Sequence, residues 1–392
     1  MRVCGIIAEY DPFHNGHAWQ LSQARKLSRA DYVICVMSCQ ITQRGMPAYF
    51  DAHDRAEMAL RSGADIVLGL PYAFSVCDSE RFALGGIEIL RKTNAVQHLS
   101  FGIEEQGLPY FTKAAALLEN PTAEYTEKLH ALLAQGVSFP RAQGDALGSV
   151  LNVDSSIFSL PNTSLAICYT RLAMRQSANF TLYPVLRRGA YHANDLPEQA
   201  SCALPSATAV RSALENNQIE SVRAALPESA YQVLCRALNE NRCHKPHALD
   251  TLLRWKLRQA PDFSKLPDLS EGIENRFRNA AQLQTRNDMV LSVKTKRYPY
   301  ARINRIFSHL LTDTDAASMD ALPEYAYLLG FRQSASDLLH MLSHGELPLL
   351  HRLPSGNLTP TQQLDARADD LWSLGAGQPF GALYRAKPVI LP

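Results

Sequence analysis

Short apolar runs alternate with amphipathic stretches through the first half of the chain. Val3–Ala8, Tyr32–Met37, Asp65–Leu70 and Gln97–Phe101 read as strands, and Thr181–Leu186 as a later addition. Strands apolar on both faces belong between two helix layers. Helical spacing fills the gaps over His17–Ser28, Asp51–Ser62, Asp78–Lys92 and Thr163–Gln176, with Asp51 as an N-cap and Gly63 as a stop. This alternation predicts an α/β fold, a Rossmann-like parallel sheet with crossover helices. From about Pro205 strand signals fade. Helices are expected over Ala207–Glu215, Glu220–Ala225, Glu228–Asn239, Ala248–Arg258, Arg276–Gln282, Arg302–Leu311 and Ala335–Ser343. The polar stretch Asn241–Pro246 divides the expectation into a sheet domain, residues 1–240, and a mainly α-helical domain, residues 241–392. Leu347–Pro360 reads as loop, followed by a C-terminal tail.

In open sheets of this kind ligands bind at the carboxyl ends of the strands. There the first strand runs into Glu9-Tyr10-Asp11-Pro12-Phe13-His14-Asn15-Gly16-His17. The glycine allows close backbone approach, and the opening helix turn offers unpaired N–H groups to an anion. Two imidazoles beside it can donate to phosphate oxygens. The same edge carries Arg44, which suits a phosphate or carboxylate but equally a solvated loop. Gly102 and Glu104 follow the fourth strand, and Asn162 reads as a helix N-cap. Arg187 and Arg188 precede Gly189 and point to opposite sides, so at most one faces the site. Ser206-Ala207-Thr208-Ala209-Val210-Arg211 places two hydroxyls, helix amides and a cation together, an arrangement aimed at a polyphosphate.

Composition narrows the class. The chain has 392 residues, 46% of them hydrophobic, and a formal net charge of +1, which argues against a polyanion-coating protein. The first strand begins at Val3, so no signal peptide is expected, and no apolar segment approaches membrane-spanning length. Eight scattered cysteines read as reduced thiols of a cytoplasmic protein. Neither Cys35 with Cys39 nor Cys243, His244 and His247 has the paired spacing of structural zinc, so no metal site is assigned. Between residues 286 and 305, Arg286, Lys294, Lys296, Arg297, Arg302 and Arg305 face one acidic residue, Asp288, with Tyr298 and Tyr300 interleaved. Such a segment suits RNA phosphates and unpaired bases, or else an ordinary solvated helix face.

The His-x-Gly-His loop and the Ser-x-Thr-x-Val-Arg helix start together resemble the nucleotidyltransferase superfamily, which attacks ATP at its α-phosphate. The longer matches are narrower. Glu9–His17, Gln43-Arg44-Gly45, Phe101-Gly102, Pro161-Asn162, Ser206–Arg211, Lys294-Thr295-Lys296-Arg297-Tyr298, Leu328-Leu329-Gly330-Phe331 and Ala386-Lys387-Pro388-Val389-Ile390-Leu391 resemble the bacterial tRNA(Met) cytidine acetate ligase family, essentially end to end. The resemblance implies an ATP-binding nucleotidyltransferase domain (1–240) and a basic tRNA-binding domain (241–392). It implies an enzyme that makes acetyl-AMP from acetate and ATP, with Mg²⁺, and acetylates N4 of the wobble cytidine in the anticodon loop of elongator tRNA(Met). By position, ATP contacts fall on Ile7, Ala8, Glu9, Tyr10, Asp11, Pro12, Phe13, His14, Asn15, Gly16, His17, Ala18, Trp19, Gln20, Gly102, Asn162 and Arg187, joined by Ser206 and Thr208. His14, His17 and Arg211 take the catalytic roles, and the basic segment with Tyr298 takes the tRNA. Asp11, Cys39 and Ile103 depart from the family's usual asparagine, glycine and serine. Two rivals stay open: a small-molecule adenylyltransferase, and a non-catalytic RNA-binding protein with a vestigial nucleotide site.

Overall fold

The computed structural model describes residues 1–104, 108–175, 179–187, 205–259, 261–269 and 272–392. Arg188, Gly189, Cys202 and the expected helix end at Gln176 lie outside them. The chain opens with β1 (Val3–Ala8), α1 (Asn15–Ser28), β2 (Tyr32–Ser38), α2 (Ala52–Arg61), β3 (Ile66–Leu70), α3 (Tyr72–Ser75), α4 (Ser79–Lys92) and β4 (His98–Ile103). Next come α5 (Leu108–Glu119), α6 (Ala123–Ala134), α7 (Phe139–Leu151), α8 (Pro161–Arg175) and β5 (Thr181–Leu186). Then follow α9 (Ala207–Glu215), α10 (Glu228–Asn239), α11 (Asp250–Arg258), α12 (Glu274–Ala280), α13 (Arg286–Val293) and α14 (Tyr300–Leu311). The chain closes with β6 (Ala326–Arg332), α15 (Ser336–Ser343), β7 (Leu349–Leu350), α16 (Pro360–Ala376) and β8 (Val389–Leu391).

The sheet runs β5-β4-β1-β2-β3-β6-β7, with β8 also on β6. It is parallel from β5 to β3, as the alternation predicts, while β6 joins β3 antiparallel. Side chains alternate across a strand, and here they feed two cores. Ile6, Val33, Cys35 and Met37 pack with α1, α2, α9 and α10. Ile7, Ile34, Val36 and Leu68 face the other way, toward α4, α8 and α11–α14.

Several features depart from the sequence expectation, among them β7 within the stretch Leu347–Pro360 read as loop. The strand β6 lies between two expected helices, in the part expected to be mainly helical, and its Gly330 leaves no room for a Cβ, which would stand 2.7 Å from Val389 O and 2.8 Å from Leu60 Cδ1. The expected tail is the seventeen-residue α16, capped by Thr359 and Gln362. Helices α5–α7 and α13 were not anticipated. Residues on both sides of position 240 share one sheet and one core, since Leu253, Phe277 and Phe307 cluster with Ile34 and Leu68.

Candidate active site

At the carboxyl edge of β1, Tyr10 takes φ +49°, a left-handed conformation uncommon for a bulky residue. The chain then enters α1 through an unusual cap. His14 is the N-cap, its Nδ1 accepting from Gly16 N–H at 3.0 Å, while His17 Nδ1 accepts from His14 N–H at 3.3 Å. A neutral imidazole whose Nδ1 accepts carries its proton on Nε2. Both rings therefore keep an Nε2–H donor for a ligand. They stack with centroids 3.8 Å apart, Tyr10 meets His17 edge-on and Phe13 lies tilted against it. Gly16 is required sterically: a Cβ would stand 2.7 Å from His14 Cε1.

Burial, then the nearby Arg187 and Arg211, push His14 down to about 3. His17 is lowered as well, by burial first and then by His14 and Arg187. The sign of the linkage follows. Below the ordinary value of 6.5 the unfolded chain binds a proton that folded His14 refuses, so stability falls with pH from 6.5 toward about 3. At pH 5 this one residue removes about 2 kcal/mol. His14→Asn is therefore expected to lose about 2 kcal/mol less than the unaltered protein between pH 7 and pH 5, read by urea denaturation. Equal losses in both proteins would refute a neutral, buried His14.

These histidines open onto a cavity of about 930 Å³. Among the sequence-predicted contacts, Ile7, Ala8, Glu9, Tyr10, Asp11, His14, Gly16, His17, Trp19, Gln20, Gly102, Asn162, Arg187, Ser206, Thr208 and Arg211 line it. Pro12, Phe13, Asn15 and Ala18 do not. Phe13 is fully buried in the core beneath α1, and Asn15 Nδ2 instead donates to Ala224 O at 2.8 Å. Arg44, read two ways from sequence, is exposed and lines the cavity.

Ser206 caps α9, accepting from Ala209 N–H at 3.0 Å. One turn on, Arg211 donates to the Asp11 carbonyl and lies 3.4 Å from its carboxylate, and it approaches Thr208 Oγ1 at 3.4 Å. Asp11 also accepts Tyr49 N–H at 2.6 Å. The aspartate that departs from the family pattern is thus matched by the cation beside it. Cys39 and Ile103 lie elsewhere. Gly69 leaves room for Cys39 Sγ, which a Cβ there would meet at 2.7 Å, and Ile103 packs in the core. Asn162 is not the cap expected of it. Glu104 closes the start of α8, accepting from Asn162 N–H and Nδ2 and from Thr163 N–H and Oγ1 at 2.7–3.1 Å.

One organising residue escaped the sequence reading. Arg55, fully buried on α2, donates to Phe50 O at 3.0 Å, Glu9 O at 2.6 Å, Ser38 O at 3.1 Å and Cys39 O. It ties together the carboxyl ends of β1 and β2 beneath the cavity. Burial raises Glu9, whose carboxylate accepts Gln43 N–H at 2.5 Å. An arginine after an N-cap aspartate gives no distinct pattern, so nothing in the sequence marks it.

The basic segment divides. Arg286 is buried and donates to Gly45 O at 2.7 Å, Asn304 O at 2.7 Å and Ser308 Oγ at 3.2 Å. It holds the 42–47 loop against α14, where Gly45, at φ +75°, leaves no space for a Cβ. Arg305 is buried against Asp268, and Tyr298 is buried beneath Arg302 at 4.3 Å. All three are tied into the fold, a fact that a count of charges does not reveal, and Arg286 and Arg305 also line the cavity. Lys294, Lys296 and Arg297 are exposed, and Lys294 Nζ sits 4.1 Å above the exposed Tyr300 ring. Among the described residues no group of three or more His, Cys, Asp or Glu is placed to hold a metal.

The chain carries its imidazole pair at the carboxyl edge of a mainly parallel sheet, over the cavity, and the HIGH Nucleotidyl Transferase family model matches residues 1–381, which makes it a nucleotidyl transferase by family. The chain is 35% identical to the tRNA(Met) cytidine acetate ligase of Fervidobacterium nodosum, across 89% of this chain and 84% of that one. It is 29% identical to the same-named protein of Clostridium perfringens over the whole of both. The crystal structure of Thermotoga maritima TmcAL bound with alpha-thio ATP matches all of both chains with TM-score 0.89 at 28% identity. The apo form does so with 0.91 at 30%. The chain belongs to the tRNA(Met) cytidine acetate ligase family and is an enzyme of the ligase class. Among the described residues no helix is long and apolar enough to cross a membrane.

Proposed function

We propose that the protein joins acetate to ATP as acetyl-AMP, releasing pyrophosphate, and then acetylates N4 of the wobble cytidine of elongator tRNA(Met). The observation that carries this reading is the neutral His14/His17 pair, each ring with Nδ1 committed to a backbone N–H and Nε2–H left for phosphate oxygens. Acetate is already ionised at neutral pH, so its attack on the α-phosphorus calls for charge relief, not a base. His14, His17 and Arg211 supply donors, with Arg187 and the Ser206 helix start beside them. Mg²⁺ travelling with the nucleotide would neutralise phosphate charge, held chiefly by phosphate oxygens.

The exposed Lys294, Lys296, Arg297 and Tyr300 form the surface for the anticodon loop. Cations there would meet backbone phosphates and the tyrosine an unstacked base. Two assays test the reading. Acetate should drive exchange of labelled pyrophosphate into ATP. Incubation with ATP, Mg²⁺, acetate and tRNA(Met) transcript should yield N4-acetylcytidine by nucleoside mass spectrometry. Exchange that ignores acetate would favour a small-molecule adenylyltransferase, and no exchange at all would end the proposal.

A further inference from the structure

Building on that reading, the second half-reaction raises a need the first does not. An amine nitrogen attacks the acyl carbon, the C–N bond forms, and the bond from that carbon to the phosphate oxygen breaks. The adenylate departs as an anion and takes no proton. The nitrogen must shed one, and a base must stand where acyl group and acceptor meet.

Most ionisable groups lining the cavity are committed. Glu9 is held by Gln43, Asp11 by Arg211 and Tyr49, and both active-site imidazoles use Nδ1 for backbone N–H groups. Asp78 caps α4, accepting from Arg81 N–H. Among the described lining residues that are left, His244 has its Nε2 buried against Gly375 and Glu215 has no imidazole partner, whereas one histidine is paired with a carboxylate. His247 Nδ1 lies 2.8 Å from Asp250 Oδ2, and both residues line the same cavity as His14 and His17. The Asp250 side chain is 12% exposed and that of His247 66%, so the carboxylate is fixed while the ring's outer nitrogen reaches cavity and solvent. A His oriented by a carboxylate on one nitrogen is a base on the other.

The loop is also built into the phosphate edge. Tyr49 N–H donates to Asp11 at 2.6 Å, and Tyr49 O accepts His244 N–H at 2.9 Å. Phe50 bridges Cys243, and Lys245 N–H donates to Gly375 O at 3.1 Å. Past these anchors His247 takes φ +63°, a left-handed turn, and its carbonyl accepts Asp250 N–H at 3.1 Å. We infer that His247 accepts the proton of the acceptor's exocyclic amine during acyl transfer and passes it to solvent, with Asp250 as its positioning residue.

The test separates the half-reactions. His247→Asn keeps a residue that tolerates the left-handed turn. It should leave acetate-dependent pyrophosphate exchange within about twofold and lower single-turnover acetyl transfer at saturating tRNA by about 10²-fold. Asp250→Asn should lower transfer by about tenfold with exchange intact, and Asp250→Glu should recover part of it. Added imidazole should raise transfer in His247→Ala, which a purely structural role would not predict. Unchanged transfer in His247→Asn, a change confined to KM for tRNA, or loss of exchange in that variant overturns the role. Absence of acetate-dependent exchange in the unaltered protein defeats the acetate reading itself, a distinct failure.

Discussion

His14→Ala is expected to reduce acetate-dependent pyrophosphate exchange by about 10²–10³-fold, and His17→Ala by a similar factor. Each removes one Nε2–H donor preorganised toward the cavity, and such donors contribute about 3–4 kcal/mol to stabilising transition-state charge. The rings stack at 3.8 Å, and each Nδ1 completes the helix cap that positions the other. They act as a unit, so the double variant should fall well short of the product of the single losses. Exchange measured at saturating ATP and acetate reads this directly. A single variant that keeps exchange within a few-fold of the unaltered protein would mean the phosphates bind elsewhere, as would a nucleotide-soaked crystal showing them away from the rings.

Arg55→Met should destabilise the fold by about 3–5 kcal/mol, among the largest effects of any single change here. Methionine fills much of the arginine stem's volume but leaves the Phe50, Glu9, Ser38 and Cys39 carbonyls without their donor. A charged hydrogen bond in a buried setting is worth more than a neutral one, and the Phe50 and Ser38 bonds are buried. Arg55→Lys should recover only part of the loss, since an ammonium cannot span carbonyls from two strands and a loop in one plane. Urea denaturation of the three proteins is the measurement. A midpoint for Arg55→Met close to that of the unaltered protein would show the carbonyls find other partners. Because the same guanidinium fixes Glu9 and the end of β2, weakened nucleotide binding should accompany the lost stability.

The strands β1–β5 and the helix starts near them were legible because they are local signals. Val3–Ala8 is apolar throughout, Asp51 and Asp78 cap their helices, and His-x-Gly-His sits where a parallel sheet places ligands. The strand β6 was not, because it is defined by pairing with β3 far upstream, a contact no local window contains. The helix α16 hid for another reason. Its buried face carries Asp365 and Asp369, held by Tyr325, Tyr327 and Gln40, so the apolar stripe that announces a helix is broken. The Thr359-Pro360-Thr361-Gln362 capping box was the signal available. At the site, the cavity-lining residues of the first loop and of the Ser206 helix start were readable as motifs. Charge alone could not tell Arg286 and Arg305, which hold loops together, from Lys294 and Arg297, which meet solvent.

The late arrival of β6 bears on how the polypeptide is made. During synthesis the outer edge of β3 stays unpaired until the ribosome has delivered the residues up to Arg332, and β6 gains its β8 neighbour only with Val389–Leu391. An open strand edge invites pairing with other chains, and domains generally begin folding from the amino terminus as they emerge. Nascent copies of this protein therefore pass through a long interval in which a chaperone, or a neighbouring nascent copy, can occupy the seat that β6 later takes.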